Sequence, residues 1–193
     1  RQTLDALHLE HVSVGVGSEV VPETKASSAS WDFLPASTET PRNGQELLKE
    51  SFEASKDGAL TLLCISALTD TATFLETHEQ LFRRKVREVV IMGGVQTPKK
   101  NELLVPDDAA NNAFDPQAAR YVYRRLQELE VPTVVVSRAA AYACPVPRAL
   151  YDDLASTGHA VGVRIRVRMV VRVTCGWPGL RWLLLRDWGG DVL

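Results

Sequence analysis

The chain has 193 residues, 45% hydrophobic and 24% charged, with a formal net charge of −2. That length suits one domain with a real core, and the composition is ordinary for a soluble globular protein. The mild acidity argues against a surface for nucleic acid, and no apolar run approaches the roughly 18 residues of a membrane-spanning helix, so neither polyanion nor membrane is an expected partner.

Residues 1–10 can form a short helix, followed by a short strand at Val12–Val16, whose apolar residues alternate. "GVGSEV" at Gly15 begins like a dinucleotide fingerprint but has Val20 where the third glycine would stand, so a strand-end turn is the simpler reading. Residues 18–44 are rich in Ser, Thr, Pro and Glu without periodicity and read as a long loop. "GQELLKESFEASKDG" is helical in pattern, with Leu47, Leu48 and Phe52 on one side and Gly58 as its stop. Ala59–Ser66 then predicts a buried strand, and Asp70–Lys85 an amphipathic helix with Asp70 as N-cap. "VREVVIM" predicts a second buried strand. Asp115 caps the next helix with Pro116 at its first position, and Ala118, Ala119, Val122, Leu126 and Leu129 form its inner face. "VPTVVVS" is a third strand, and Val146–Ser156 a helix ending at Gly158. Apolar strands alternating with amphipathic helices predict an α/β fold, a mainly parallel sheet with helices on both faces.

From Arg164 onward the chain changes, with six arginines, no lysine or glutamate, and three of the four tryptophans. "RIRVRMVVRV" alternates arginine with apolar residues and allows a half-buried strand. The division expected is an α/β domain at 1–163 and an atypical tail at 164–193. That tail is either a final edge strand with a loose terminus or a segment never selected to finish the fold. Cys64, Cys144 and Cys175 are widely spaced and form no CxxC pair, which favours a reducing, cytoplasmic setting. No secretory h-region is visible, and the start at Arg1 leaves room for residues before it. His8 and His11 flank a strand start, His78 lacks the second histidine of a zinc helix, and Cys144 reads as a packing residue; all three have bland surface or packing explanations. No GxSxG or P-loop pattern occurs.

Chemistry is concentrated in "VVIMGGVQTPKKNELLVPDDAANNAFDPQAA", Val89–Ala119. In parallel α/β sheets, ligands bind beyond the carboxyl ends of strands, and three loops converge there: Ser66–Thr69, Met92–Asp115 and Ser137–Arg138. Gly93 and Gly94 permit close approach of backbone. Asn101, Asn111 and Asn112 offer carboxamides, which donate and accept without titrating, and Asp107 and Asp108 offer carboxylates. Together they suit the hydroxyls of a polyol or ribose, with a hard cation nearby. Asn and Asp before a helix are equally ordinary as caps and turn formers.

"LTLLCISALTDTATFLETHEQLFRRKVREVVIMGGV" resembles the middle of the inosine/uridine-preferring nucleoside hydrolases, with Leu68 and Thr69 matching the family's Gly-Pro-Leu-Thr-Asn-like turn. "NNAFDPQAARYVYRRLQELEVPTVVVSRAAAYACPVPRALYDDLASTGHAVG" extends the resemblance, which covers about residues 4 to 163 and follows a branch with an Asn-Asn pair. What the resemblance implies is hydrolysis of the N-glycosidic bond of ribonucleosides in purine and pyrimidine salvage. In that reaction a calcium ion holds the ribose hydroxyls and a water, and an aspartate takes the water's proton. On this chain it implies a Thr69 carbonyl on calcium, Met92 at the floor of a ribose pocket, and Asn111, Asn112 and Asn101 on the sugar. The family's glutamate position falls on Ala109, which leaves its hydroxyl contact to Asp107 or Asp108.

The sequence lacks the amino-terminal DxDxGxDD cluster that supplies most metal ligands and the base in this family, since Asp5 stands alone and the next aspartate is Asp32. It also lacks the late His-Asp pair: no histidine follows His159, and Asp187 and Asp191 lie in the atypical tail. Calcium takes six to eight oxygens, so its binding by this chain is doubtful. Two expectations follow: a family enzyme whose chain is incomplete for catalysis, or a truncated, non-catalytic member that binds ribose weakly or serves as a protein-interaction module. A homo-oligomer is left open.

Overall fold

The structure, a computed structural model, describes residues 1–18, 42–96 and 103–174. The long loop expected before Gly44, the candidate Asn101 and the Arg/Trp-rich end from Cys175 fall outside those residues. In chain order the elements are α1 (Gln2–Ala6), β1 (Gly15–Val16), β2 (Arg42–Asn43), α2 (Gly44–Ala54), β3 (Leu60–Cys64), α3 (Thr69–Lys85), β4 (Val86–Met92), α4 (Ala110–Phe114), α5 (Pro116–Glu128), β5 (Thr133–Val136), α6 (Arg138–Ala143), α7 (Arg148–Ser156) and α8 (Ala160–Thr174). They divide into two compact units. The first holds Arg1, residues 10–18, 42–96 and 103–145; the second holds residues 2–9 and 146–174.

The first unit is built on a parallel sheet, β3-β4-β5, with β4 in the middle. A separate two-residue parallel pair joins β1 to β2. The strand expected over Val12–Val16 is therefore only Gly15–Val16, whose partner among the described residues is the two-residue β2. One sheet face is sealed by α2, α3 and α5, whose apolar residues recur at helical spacing. Phe52, Phe74 and Phe82 form its aromatic centre, with ring centroids 4.5 Å apart for Phe52–Phe74 and 5.8 Å for Phe52–Phe82. Leu75, Val89, Ile91, Val122 and Leu126 complete it, all fully buried. The predicted inner face of α5 is the observed one, with Tyr123 added to it.

The other sheet face is apolar and accessible. Side chains alternate along a strand, so Leu60, Leu62 and Cys64 turn toward the helices while Leu63 is 61% exposed. Met92 and Val134 are each about half exposed on that side. The buried strand expected at Ala59–Ser66 is thus half-buried, because helices α2, α3 and α5 cover only one of its two faces.

Two capping expectations part ways. Asp115 does cap α5, its carboxylate accepting the Ala118 amide at 3.0 Å. Asp70 does not cap α3, which starts one residue earlier at Thr69. Its carboxylate accepts instead from the Ser18 amide (2.8 Å) and hydroxyl (2.9 Å), and from the Gln45 side chain (3.2 Å). His78 interrupts α3 with non-helical dihedrals and meets the Phe74 ring edge-on, so it marks a kink rather than a solvated helical position.

In the second unit, α7 and α8 form a helical hairpin, joined at α1 by a contact of His159 Nε2 with the Ala6 carbonyl at 2.8 Å. The strand expected at "RIRVRMVVRV" is helix: α8 runs through it to Thr174. The reason lies at Gly162, where any Cβ would collide with the Leu154 carbonyl of α7. A crossing that close favours continuing the helix over the alternation of arginine and valine. Asp152 and Arg166 pair across the hairpin at 2.6 Å. No helix among the described residues is long and apolar enough to cross a membrane.

Candidate functional site

Beyond the carboxyl ends of β3 and β4, the chain turns at Gly93 and Gly94 and makes a hairpin-like neck. Val95 bridges Pro106 in antiparallel sense, and the Gln96 amide donates to the Val105 carbonyl at 2.9 Å. The Asp107 amide donates to the Gly94 carbonyl at 3.1 Å. Both glycines are required by close approach. A Cβ at Gly94 would strike the Asp107 carboxylate, and one at Gly93 would lie 2.8 Å from the Tyr123 hydroxyl and 3.0 Å from Asn112 Oδ1.

Two asparagines follow on α4 with different fates. Asn111 donates its Nδ2 to the Met92 carbonyl at 2.9 Å, and its Oδ1 has no partner among the described residues. Its carboxamide is thus pinned at the mouth of β4 with an acceptor to spare. Asn112 is 2% exposed and donates to the Gly94 carbonyl (3.0 Å), the Asp107 carbonyl (3.3 Å) and Asp107 Oδ1 (3.3 Å). It staples the neck from inside and offers a ligand no face. Asn112 Oδ1 and the Tyr123 hydroxyl are buried together against Gly93, and burial raises the Tyr123 phenol above its ordinary pKa while the neighbouring Asn112 side chain and Gly94 backbone oppose that rise.

Asp107 is engaged in the same way, its Oδ1 accepting the Ala109 amide at 2.8 Å. Ala109 itself is buried. Asp108 differs: its side chain is 92% exposed and approaches Arg138 at 3.5 Å, the first residue of α6 beyond β5. Of the two carboxylates expected to replace the missing glutamate, Asp108 is the more accessible to a hydroxyl, with Arg138 beside it.

Thr69 is joined to this group through Asp115. Its hydroxyl donates to Asp115 Oδ2 at 2.7 Å, while its carbonyl accepts the Thr73 hydroxyl at 3.0 Å. The Ala118 amide and then the Thr69 hydroxyl hold the Asp115 carboxyl below the usual carboxylate range, against an opposing effect of burial. Thr69, Met92, Asn111 and Asp108 therefore share one rim of the first unit, with Asn112 and Asp107 beneath it. The Thr69–Asp115 link escapes sequence reading because 46 positions separate the pair; Tyr123 and Asp70 escaped it too, one hidden in an amphipathic pattern and the other resembling a cap.

A calcium ion is implied by the resemblance, and the described residues do not fit it. No three His, Cys, Asp or Glu side chains among them converge as a metal group. The Asp115 carboxylate and the Thr69 carbonyl already serve a helix start, and calcium requires six to eight oxygens.

The sequence pattern of the family described as "Inosine-uridine preferring nucleoside hydrolase" matches residues 2–174. Among solved structures, the type III effector protein XopQ complexed with adenosine diphosphate ribose is 31% identical with a TM-score of 0.75, over 86% of this chain and 49% of that one. The effector protein XOO4466 is 30% identical with a TM-score of 0.79, over 100% of this chain and 55% of its own. A purine-preferring ribonucleoside hydrolase from Gardnerella vaginalis shares the fold at 18% identity and a TM-score of 0.51, over 72% and 44%. The chain thus spans about half the length of the first two. No curated protein matches it.

Proposed function

Since the chain belongs to the inosine-uridine preferring nucleoside hydrolase family, we propose that its rim at Thr69, Met92, Asn111 and Asp108 is a ribose-binding half-site for a nucleoside or an ADP-ribose-like nucleotide. The observation that carries this is the Asn111 carboxamide, tied by its nitrogen to the Met92 carbonyl with its oxygen unpartnered. Such an oxygen accepts from a sugar hydroxyl, and the exposed Asp108 carboxylate accepts from the neighbouring one. Met92, about half exposed, supplies an apolar floor beneath the ring. Asn112, Asp107 and the glycine pair are positioning groups that hold the neck and so aim Asn111. The ADP-ribose bound by XopQ motivates a ligand with a diphosphate; Arg138, beside Asp108, is the cation within reach of that rim.

Hydrolysis belongs to the family rather than to this stretch of chain. Its sequence carries no DxDxGxDD cluster to activate water, and Asp107 and Asp115 near the rim are engaged as a staple and a cap. The reading is therefore of binding without turnover. Calorimetric titration with ADP-ribose, inosine and ribose tests it. Binding weakened about tenfold by Asn111→Ala, the loss of one well-placed hydrogen bond, with no base released from inosine in the presence of calcium, is the expected result. Calcium-dependent base release contradicts the second half, and equal affinity of the variant contradicts the first.

A further inference from the structure

A concavity of about 450 Å³ opens beside α5. One wall is the segment Leu103–Pro106; the other is the α5 stripe Gln117, Arg120, Tyr121 and Arg124, spaced to share one helix face. The volume falls within the range of small-molecule sites.

The apolar wall is fixed in place and its backbone is occupied. The Leu104 amide donates to Gln127 Oε1 at 2.8 Å, and Gln127 Nε2 donates back to the Leu104 carbonyl at 3.0 Å. The Val105 and Pro106 carbonyls accept from the Gln96 amide (2.9 Å) and side chain (3.2 Å). Yet Leu103 remains 53% exposed and Val105 44%. A segment this well tethered, showing consecutive aliphatic side chains, presents a surface rather than a strand edge. An extended peptide would find few free groups on it to pair with, which favours recognition through side chains alone.

The opposite wall supplies charge. Arg120 has no ion-pair or hydrogen-bond partner among the described residues, whereas Arg124 is drawn toward Glu128 at 3.6 Å. An unpaired guanidinium facing an aliphatic wall, with the Gln117 amide one turn before it, complements a carboxylate on an apolar body. From this we infer that the groove binds a small apolar anion, an aryl or medium-chain acyl carboxylate, with its head on Arg120 and Gln117 and its body on Leu103 and Val105. The groove shares Val105 and Pro106 with the neck below the rim, but the inference does not depend on the ribose reading.

Titration of the whole chain with 2-naphthoate, and with its neutral alcohol counterpart 2-naphthalenemethanol, tests the inference. Naphthoate is expected to bind; Arg120→Ala should weaken it about tenfold and leave the alcohol unaffected. Val105→Asp should weaken naphthoate further, and Arg83→Ala, remote on α3, should change nothing. Amide shift mapping on the unaltered protein gives a readout independent of any variant, with perturbations expected at residues 103–106 and 117–124. Equal affinity of the carboxylate for the Arg120→Ala protein, equal affinity of acid and alcohol, perturbations centred elsewhere, or no binding at millimolar naphthoate would each overturn it.

Discussion

The two faces of the β3-β4-β5 sheet are made of the same kinds of residue and meet opposite fates. Toward α2, α3 and α5 the strands place Cys64, Val89 and Ile91 in a sealed core, around three phenylalanines. Away from those helices, Leu63, Met92 and Val134 stay about half exposed or more. Strand composition alone therefore does not specify burial; the partner laid across a face does. The exposed face ends at Met92, where the Asn111 carboxamide is fastened and where the ribose half-site is proposed.

Mutations can break this contrast. Phe82→Ala on the sealed face should cost about 3–5 kcal/mol, the usual loss for a buried aromatic, read as a lower urea midpoint. Gly94→Ala at the neck should cost about 1–3 kcal/mol by overpacking against the Asp107 carboxylate, with ribose-type ligand binding lost in parallel. Asp115→Ala removes a cap and leaves the Thr69 hydroxyl without its acceptor, for about 1 kcal/mol. Because the folded pKa of Asp115 lies below its unfolded value, that contribution is fully present above the unfolded value and is lost as pH falls through the folded one. The stability gap between the parent and the Asp115→Ala protein should accordingly close in acid and stay constant near neutrality. Leu63→Thr on the open face should change stability by about 0.5 kcal/mol or less; a loss like that of Phe82→Ala would mean that this face is covered in solution.

Legibility in the sequence followed the range of the forces. The α5 inner face, its Asp115-Pro116 start and the parallel strands at 60–64, 86–92 and 133–136 were readable because each depends on local periodicity or a cap. The glycine pair announced a close approach, though not that Asp107 and Tyr123 were what approached. Asn111 and Asn112 looked equivalent on paper. Their opposite roles, one at the rim and one inside, are set by the turn of a five-residue helix. The arginine-valine alternation after Arg164 misled, since a two-residue period is overruled when a neighbouring helix demands a glycine crossing. Asp70 misled for a similar reason: residues as distant as Ser18 claimed its carboxylate first.

The Val95–Pro106 bridge and the Gln96 tethers have a practical corollary for engineering. They fasten Val105 and Pro106 directly before Asp107, whose own carbonyl and carboxylate receive the Asn112 amide. Side chains grafted at Val105 would therefore be carried on an anchored backbone, and a change at Gln96 would be felt at the asparagines.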